Sequence, residues 1–188
     1  METREGLYDI DDLWQIACDP DNDKRYELIE GELVEMPTPG EEHGYLTVLL
    51  AKFLVDYVIE HQLGRVTADS GFHAKDDRYT LLGPDIAFRR LDPVAEPASR
   101  KWVPVMPDLA VEIKSPSNTM PDLRRKAALY LERGTQLVWI LIPAEKSVEV
   151  CRLDTSGKLQ SESIDAGGAL SGEQVLPGFS LELSALFS

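Results

Sequence analysis

The chain has 188 residues, which fits one domain with a core of ordinary size, and we expect residues 1–188 to form that single domain. Its hydrophobic fraction of 43% and charged fraction of 28% are those of a soluble globular protein. No apolar run approaches the roughly 18 residues that cross a bilayer, and the first residues lack the features of a signal peptide. We therefore expect a cytoplasmic protein with no membrane partner, in which Cys18 and Cys151 are free thiols.

The net charge of −14 argues against a nucleic-acid partner, because phosphate contacts need lysine and arginine. The charge is unevenly distributed, however. Residues 75–133 carry 11 basic and 9 acidic side chains, whereas residues 1–74 carry 5 and 17 and residues 134–188 carry 3 and 7. Basic clusters in the middle third could form a positive rim around a site, and ordinary surface charge explains them equally well. These clusters are Arg89-Arg90, Arg100-Lys101 and Arg124-Arg125-Lys126.

The first third of the chain predicts a helix, a hairpin and a longer helix. Apolar residues at helical spacing predict a short helix over residues 7–17. Residues 25–36 predict two strands joined by a turn. Apolar positions spaced i, i+4, i+7 and i+8 predict a helix over residues 41–61, with Gly64 near its C-terminal end. His43 lies in the first turn of that helix, where a capping or packing role is commoner than a catalytic one.

Two strands and a long loop are predicted next. Alternating residues at 66–74 predict a strand. The turn at Gly83-Pro84 then precedes Asp85, which leads a second short strand with its carboxylate opposite the apolar face. An aspartate after a proline is most often a turn or cap residue. Residues 91–107 predict a proline-rich loop, and loops of that length in a compact domain are usually functional or disordered.

The strand predicted over residues 109–113 has one apolar and one polar face. Its apolar residues alternate with Glu112 and Lys114. Same-face side chains lie roughly 6.6 Å apart, so this carboxylate and this ammonium project side by side. Such a pair most often lies on the solvated face of a strand. Here, however, it belongs to the strand that comes next after the one led by Pro84-Asp85. Asp108 also follows a proline, and it is expected on the same strand face as Glu112 because the two residues are four apart. We interpret it as a turn residue before the strand, and Asp85 as the metal carboxylate.

Residues 119–142 predict a strand-connecting helix and a buried strand. Thr119-Met120-Pro121-Asp122 fits a capping box, and Gly134 ends the helix. Lys126 lies at the border of the helix's apolar stripe, where it either reaches the site or pairs with Asp122 four residues earlier. The continuous apolar run at 137–142 is typical of a strand buried on both faces, so the segment predicts a right-handed βαβ crossover.

The C-terminal part predicts an extension of the sheet. Residues 146–153 alternate as a strand, and Gly157-Lys158 turns the chain into another at residues 159–164. Residues 176–183 then supply a last apolar segment that packs on the rest.

Several landmark residues and short motifs occur along the chain in an order typical of one family. In this respect the chain resembles the Uma2 family, formerly a domain of unknown function, of the PD-(D/E)XK restriction-endonuclease-like superfamily. The resemblance covers roughly residues 25–185. It implies an α/β (α+β) fold whose core runs helix, three strands, helix, strand, with a central mixed sheet flanked by helices, an N-terminal helix and hairpin and a C-terminal β extension. The landmarks are residues 26–33, Pro39, His43, Pro84-Asp85, 107–112, Ser115-Pro116-Ser117, Asp122, Lys126, Tyr130, Gly134 and Trp139-Ile140.

The resemblance also implies a metal-dependent endonuclease that hydrolyses phosphodiester bonds of DNA. Asp85, Glu112 and the carbonyl of Ile113 offer hard oxygen ligands for Mg²⁺ or Mn²⁺. Lys114 would orient or deprotonate the attacking water, and many family members have an apolar residue at its position.

Several further residues are candidates for the same site. Lys126 and His43 are expected as additional catalytic residues that assist the carboxylates and Lys114. Glu27 or Glu32 of the hairpin could also join, and the sequence does not choose between them.

Two hypotheses that assign other functions compete with the nuclease hypothesis. The chain could be a nuclease-derived binding module whose site is vestigial, and a homodimer is expected. It could also hydrolyse a different phosphate ester, because the acidic flanks poorly suit a long duplex. Metal binding tests the first reading, and substrate length tests the second.

Overall fold

The computed structural model describes residues 6–91 and 98–187, which contain both α-helices and β-strands. The helices are α1 (Ile10–Cys18), α2 (Glu41–Glu60), α3 (Met120–Glu132) and α4 (Leu183–Leu186). The strands are β1 (Arg25–Ile29), β2 (Glu32–Met36), β3 (Gly64–Ala68), β4 (Ile86–Arg90), β5 (Leu109–Ile113), β6 (Leu137–Ile142), β7 (Ser147–Leu153), β8 (Leu159–Ile164), β9 (Ala169–Ser171) and β10 (Ser180–Glu182).

A six-stranded mixed sheet in the order β3-β4-β5-β6-β7-β8 forms the centre of the molecule. Strands β5 and β6 run parallel, whereas the other neighbours in this sheet are antiparallel. Parallel neighbours need a crossover connection, and α3 supplies it. The order α2, β3, β4, β5, α3, β6 confirms the core that the resemblance implied, and β7 to β10 confirm the C-terminal β extension.

The two faces of the sheet pack against different helices. On one face, Phe88 and Trp139 join the apolar side of α2 in a buried cluster. On the other face, Ala87 and Ala110 pack with α3 in a second cluster. Because side chains alternate along a strand, the polar residues that share the parity of Ala87 and Ala110 also lie on the α3 face.

The N-terminal hairpin is attached beside the sheet rather than within it. Its turn has positive φ at Glu30 (52°) and Gly31 (92°), which is typical of the tight two-residue turn that the sequence predicted. Leu28 of β1 exchanges backbone hydrogen bonds of 3.0 and 2.7 Å with Leu81. Leu13 of α1 packs on both leucines in a third buried cluster. This packing carries β1 toward the start of β4.

Several boundaries differ from the prediction. Helix α1 begins at Ile10, after an N-cap at Asp9, rather than at residue 7. The strand predicted over 66–74 ends at Ala68, because Asp69 adopts a left-handed φ of 51° that breaks the extended backbone. Gly64 begins β3 instead of closing α2, and it has a φ of 155°. A Cβ there would lie 2.1 Å from the carbonyl oxygen of Arg89 on the neighbouring strand, which explains the glycine. Part of the loop predicted over 91–107, residues 92–97, lies outside the described residues.

Two further expectations concern single features. Cys18 is a free, exposed thiol, and Cys151 is a free, buried one. In the part of the chain that the structure describes, no helix is long and apolar enough to span a membrane.

Candidate active site

Strand pairing brings the two predicted carboxylates together. In the antiparallel ladder of β4 and β5, Ile86 lies opposite Val111. Extending that register by one residue sets Asp85 opposite Glu112, and both share the face that packs on α3. Side chains directly opposite each other on neighbouring strands have Cβ atoms roughly 4.5–5.5 Å apart. The Asp85 charge accordingly contributes to raising the pKa of Glu112.

Asp85 is held by contacts with two different elements. Its Oδ2 atom accepts a hydrogen bond of 2.7 Å from the backbone N–H of Ile113 and lies 3.1 Å from Nε2 of His43. The hydrogen bond with Asp85 raises the pKa of His43, although burial opposes the shift. His43 in the first turn of α2 therefore contacts the site directly.

Lys126 is the buried cation of the site. Its side chain is 11% exposed, and its Nζ atom lies 2.9 Å from Oε1 of Glu27 and 2.9 Å from Oε1 of Glu112. The alternative pair with Asp122 is absent, because Asp122 instead lies 3.4 Å from the guanidinium of Arg125. Of the two roles that the sequence left open for Lys126, the structure shows the one inside the site.

Two further residues complete the cluster around Glu112. The hydroxyl of Tyr130, one helical turn after Lys126, donates a hydrogen bond of 2.8 Å to Oε1 of Glu112. Glu27 of β1 has a side chain 5% exposed and accepts a hydrogen bond of 2.6 Å from the N–H of Gly83. Glu32 is exposed at the start of β2, so the structure selects Glu27 from the hairpin.

The charges in this cluster do not balance. Burial, followed by the charges of Asp85 and Glu27, raises the pKa of Glu112 to about 8, although Lys126 acts in the opposite direction. Burial lowers the pKa of Lys126, but the charges of Glu112 and Glu27 outweigh it and raise the pKa overall. The pKa of Glu112 is raised because its carboxyl is buried near the charges of Asp85 and Glu27, and the single ammonium of Lys126 does not offset all of these effects.

Tyr130 remains a hydrogen-bond donor throughout the neutral range. Burial, then the charges of Glu112 and Glu27, raise the pKa of its phenol well above the usual value. The phenol therefore keeps its proton and holds one oxygen of Glu112 in place.

The donor atoms fit a hard divalent cation in chemical type. Asp85 and Glu112 offer carboxylate oxygens, and Oδ1 of Asp85 accepts no hydrogen bond from the described residues. A carboxyl whose pKa is raised by neighbouring carboxylates is one that a cation would stabilise in its charged form. No group of three His, Cys, Asp or Glu side chains in residues 6–91 and 98–187 is arranged as a ready cage. A bound cation would share the Glu112 oxygens with Lys126 and Tyr130.

Lys114 lies just beyond the end of β5. Its N–H donates a hydrogen bond of 2.8 Å to the carbonyl of Leu141 on β6. Its half-buried side chain makes no hydrogen bond or ion pair with the described residues. The lysine that touches the carboxylates is thus Lys126, and the role predicted for Lys114 stays a prediction. Lys126 could have been favoured from the sequence by its position on the apolar stripe of α3.

Asp108 lies at the opposite end of β5 from Glu112. Its carboxylate accepts hydrogen bonds of 2.6 Å from the N–H of Arg90 and 2.6 Å from the side chain of Gln136. Its carbonyl accepts from the N–H groups of Gln136 and Leu137. Asp108 therefore joins the starts of β5 and β6 to the end of β4, as a turn residue would.

The predicted basic rim is only partly available to a ligand. Arg124 makes two hydrogen bonds of 2.8 Å to the carboxylate of Glu149. The guanidinium of Arg90 donates to the backbone carbonyls of Gln174 and Val175. With Lys126 inside the site, the remaining exposed pair is Arg100-Lys101.

Comparisons with known proteins agree with this architecture. The sequence model of the Uma2 family, described as "Putative restriction endonuclease", matches residues 10–184. The solved structures include a putative nuclease belonging to DUF820 from Anabaena variabilis ATCC 29413, with a TM-score of 0.77 and 19% identity. The match covers 96% of this chain and 97% of that one, and it shows a shared fold. No curated protein matches.

The protein has a nuclease-like fold. Its mixed sheet carries carboxylates at the end of an antiparallel strand pair, and a crossover helix packs over them. The family match extends over nearly the whole chain. The chain belongs to the Uma2 family.

Proposed function

We propose that this protein is a metal-dependent endonuclease that hydrolyses phosphodiester bonds of DNA. The observation that carries the proposal is the buried cluster in which Glu27 and Glu112 hold the ammonium of Lys126, with Asp85 close enough to Glu112 for its charge to raise the pKa of that carboxyl. Clusters of buried, mutually repelling carboxyl groups are costly to fold and are typical of functional sites. The family description points to the same class of reaction.

Asp85 and Glu112, with the Ile113 carbonyl, would hold Mg²⁺ or Mn²⁺. When bound, the cation supplies a Lewis acid that offsets phosphate charge and lowers the pKa of a water ligand. His43 holds Asp85 in a fixed orientation through its Nε2 contact, and Tyr130 does the same for Glu112.

The two lysines have separate roles in this proposal. Lys126 holds Glu27 and Glu112 close together and supplies a positive charge near the reacting phosphate, where a buried charge acts strongly. Lys114, one residue beyond β5 and two residues after Glu112, orients or deprotonates the attacking water.

Cleavage of supercoiled, linear and single-stranded DNA, and of RNA, with Mg²⁺ or Mn²⁺ tests the proposal. We expect cleavage of DNA that stops when EDTA removes the cation. The Glu112→Gln variant keeps the side-chain shape and should lose activity, whereas Lys158→Gln, in the exposed turn between β7 and β8, should not. Cleavage that persists in EDTA or in the Glu112→Gln variant would contradict this site.

A vestigial binding module is the second candidate, and one observation favours it. Both oxygens of Glu112 already accept hydrogen bonds from Lys126 and Tyr130, so this carboxyl has hydrogen-bond partners without a cation. On this alternative, the protein binds DNA but shows neither cleavage nor a thermal response to Mg²⁺ or Mn²⁺. The expected homodimer stays a prediction, because no contact within the chain bears on it.

A further inference from the structure

A cleft with a basic lining lies next to the carboxylate cluster. It has a volume of about 320 Å³, and we call it the Trp102 cleft. That volume is at the lower end of the range for small-molecule sites, so it is too small for a duplex. Its lining includes Trp14, Arg65, Arg89, Arg100, Lys101 and Trp102.

The sheet places the cleft on the same face as the carboxylates. Arg65 of β3 lies opposite Arg89 of β4 in the antiparallel ladder. Arg89 is four residues after Asp85, so both side chains lie on the α3 face of β4. At roughly 3.4 Å per residue, the two positions are about 14 Å apart, a distance that a few nucleotides of a strand would span.

The Asp69 end of the cleft lies toward the carboxylate cluster. The N–H of Asp69 donates a hydrogen bond of 3.3 Å to the carbonyl of Asp85. A neighbouring cavity that contains Glu27 and Gly83 shares Asp69 and Trp102 with the Trp102 cleft. A chain lying in the cleft would therefore lead toward Glu27 and Asp85.

The charge of the lining suits a polyanion, although the whole protein is acidic. Two arginines from the sheet, Arg65 and Arg89, and the exposed Arg100 and Lys101 contribute positive charge. The acidic lining residue Asp69 lies 2.9 Å from the guanidinium of Arg25, which offsets its charge. The buried hydroxyl of Thr67 has no hydrogen-bond partner among the described residues.

Two indoles form the apolar wall of the cleft. Trp14 and Trp102 pack edge to face with ring centroids 5.0 Å apart, and both are half-buried. Gly71 makes room for Trp102, since a Cβ at that position would lie 2.7 Å from the indole. Basic side chains combined with aromatic rings are typical of proteins that hold single-stranded nucleic acid.

We propose that the Trp102 cleft binds one unpaired nucleotide of a nucleic-acid strand, with its phosphate on the basic side chains and its sugar or base against the indoles. The inference rests on the proposed function, since it places this nucleotide a few positions from the bond that the carboxylates would cut. It adds a preference for a single strand, or for the frayed part of a duplex.

Anisotropy of labelled single-stranded DNA, measured in EDTA so that no cleavage occurs, tests the proposal. The Arg100→Glu/Lys101→Glu variant should bind about tenfold more weakly or worse, because it removes and reverses phosphate contacts. The milder Arg100→Gln/Lys101→Gln variant should bind with intermediate affinity. The control Lys52→Glu/Lys158→Glu changes the net charge equally on α2 and at the β8 edge, and should retain affinity within about threefold. Thermal melting checks that each variant is folded.

Tryptophan fluorescence adds a local readout. Single-stranded DNA should quench the emission of Trp14 and Trp102, whereas Trp139 is fully buried. The Trp14→Phe variant should lose a measurable part of the quench. Equal losses of affinity in the reversal and control variants, equal binding of duplex and single strand, or no quench would overturn the inference.

The result can be separated from that of the cleavage assay. Cation-dependent cleavage with unchanged binding by the Arg100→Glu/Lys101→Glu variant would reject the cleft and keep the nuclease. Weakened binding by that variant, in a protein that cuts no nucleic acid, would keep the cleft and reject the nuclease.

Discussion

Two of the Pro-Asp dipeptides in the chain lie at the two ends of one antiparallel strand pair, and they have different surroundings. Asp85 precedes β4 and lies opposite Glu112, beside His43 and the buried carboxyl cluster. Asp108 precedes β5 at the other end, where backbone and amide groups satisfy its carboxylate. The same dipeptide therefore contributes to a candidate active site at one end and joins strands at the other.

The difference follows from the direction of the strands. Glu112 lies near the end of β5, and only the residue that precedes the antiparallel β4 can lie opposite it. The buried charges are also concentrated at that end, because α3 brings Lys126 and the hairpin brings Glu27. The two ends should therefore respond differently to substitution, to a bound cation and to pH.

Replacing the two aspartates should separate catalysis from strand joining. Asp85→Asn should reduce DNA cleavage by roughly 10²-fold or more, the size typical of losing a charged catalytic or metal-binding group. Asp108→Asn keeps one oxygen to accept from the N–H of Arg90, and its new NH2 can donate to Gln136 if that amide turns over, so cleavage should stay within about threefold. Initial rates on supercoiled DNA at saturating Mg²⁺ or Mn²⁺ provide the measurement. Equal losses in the two variants would remove the distinction.

Replacing the two lysines tests which of them is part of the buried cluster. Lys126→Met leaves Glu27 and Glu112 facing each other without a cation and should reduce the free energy of unfolding by about 3 kcal/mol. Lys114→Met removes no ion pair with the described residues and should change it by about 0.5 kcal/mol or less. Urea unfolding at neutral pH measures both. A larger effect for Lys114 would show that its ammonium interacts with the site.

A bound cation should stabilise the Asp85 end specifically. Mg²⁺ or Mn²⁺ at about 100 times its dissociation constant would add roughly 2.7 kcal/mol, and raise Tm by roughly 5–10 °C for a chain of this size. Asp85→Asn should lose most of that rise, and Asp108→Asn should keep it. Calorimetry with and without the cation measures the shift. A rise that survives Asp85→Asn would place the cation elsewhere.

The pH dependence of stability should reveal Glu112 in the absence of a cation. Its carboxyl has a pKa of 4.5 when unperturbed and about 8 in the folded protein, so the folded state binds more protons between these values. Its stabilising contribution is fully present below pH 4.5 and is lost as the pH rises through about 8. The raised pKa of His43 acts in the same direction.

Glu112→Gln is the matched variant for this pH dependence. In this variant the free energy of unfolding should decrease less steeply between pH 4.5 and pH 8. Urea unfolding in EDTA measures this slope. An unchanged slope in Glu112→Gln would show that Glu112 is ionised in the folded protein.

Much of the fold follows from local patterns. The period-2 alternation around Glu112, the apolar run of β6 and the N-cap at Thr119 identify the strand, helix and strand of the crossover, and the structure contains all three. The errors came where backbone conformation overrides the pattern. Asp69 ends β3 with a left-handed φ, and Gly64 is required by the neighbouring strand rather than by a helix end.

The sequence by itself determined the family resemblance, the order of the core elements and the candidate carboxylates, because these depend on residue types and short spacings. The tertiary structure decided which charges meet. Lys126 was chosen over Lys114 as the cation between the carboxylates, and Glu27 over Glu32 as the third carboxylate. Lys126 is 14 residues from Glu112 along the chain and farther still from Glu27. Only the packing of α3 and the hairpin against the sheet brings these side chains within hydrogen-bonding distance.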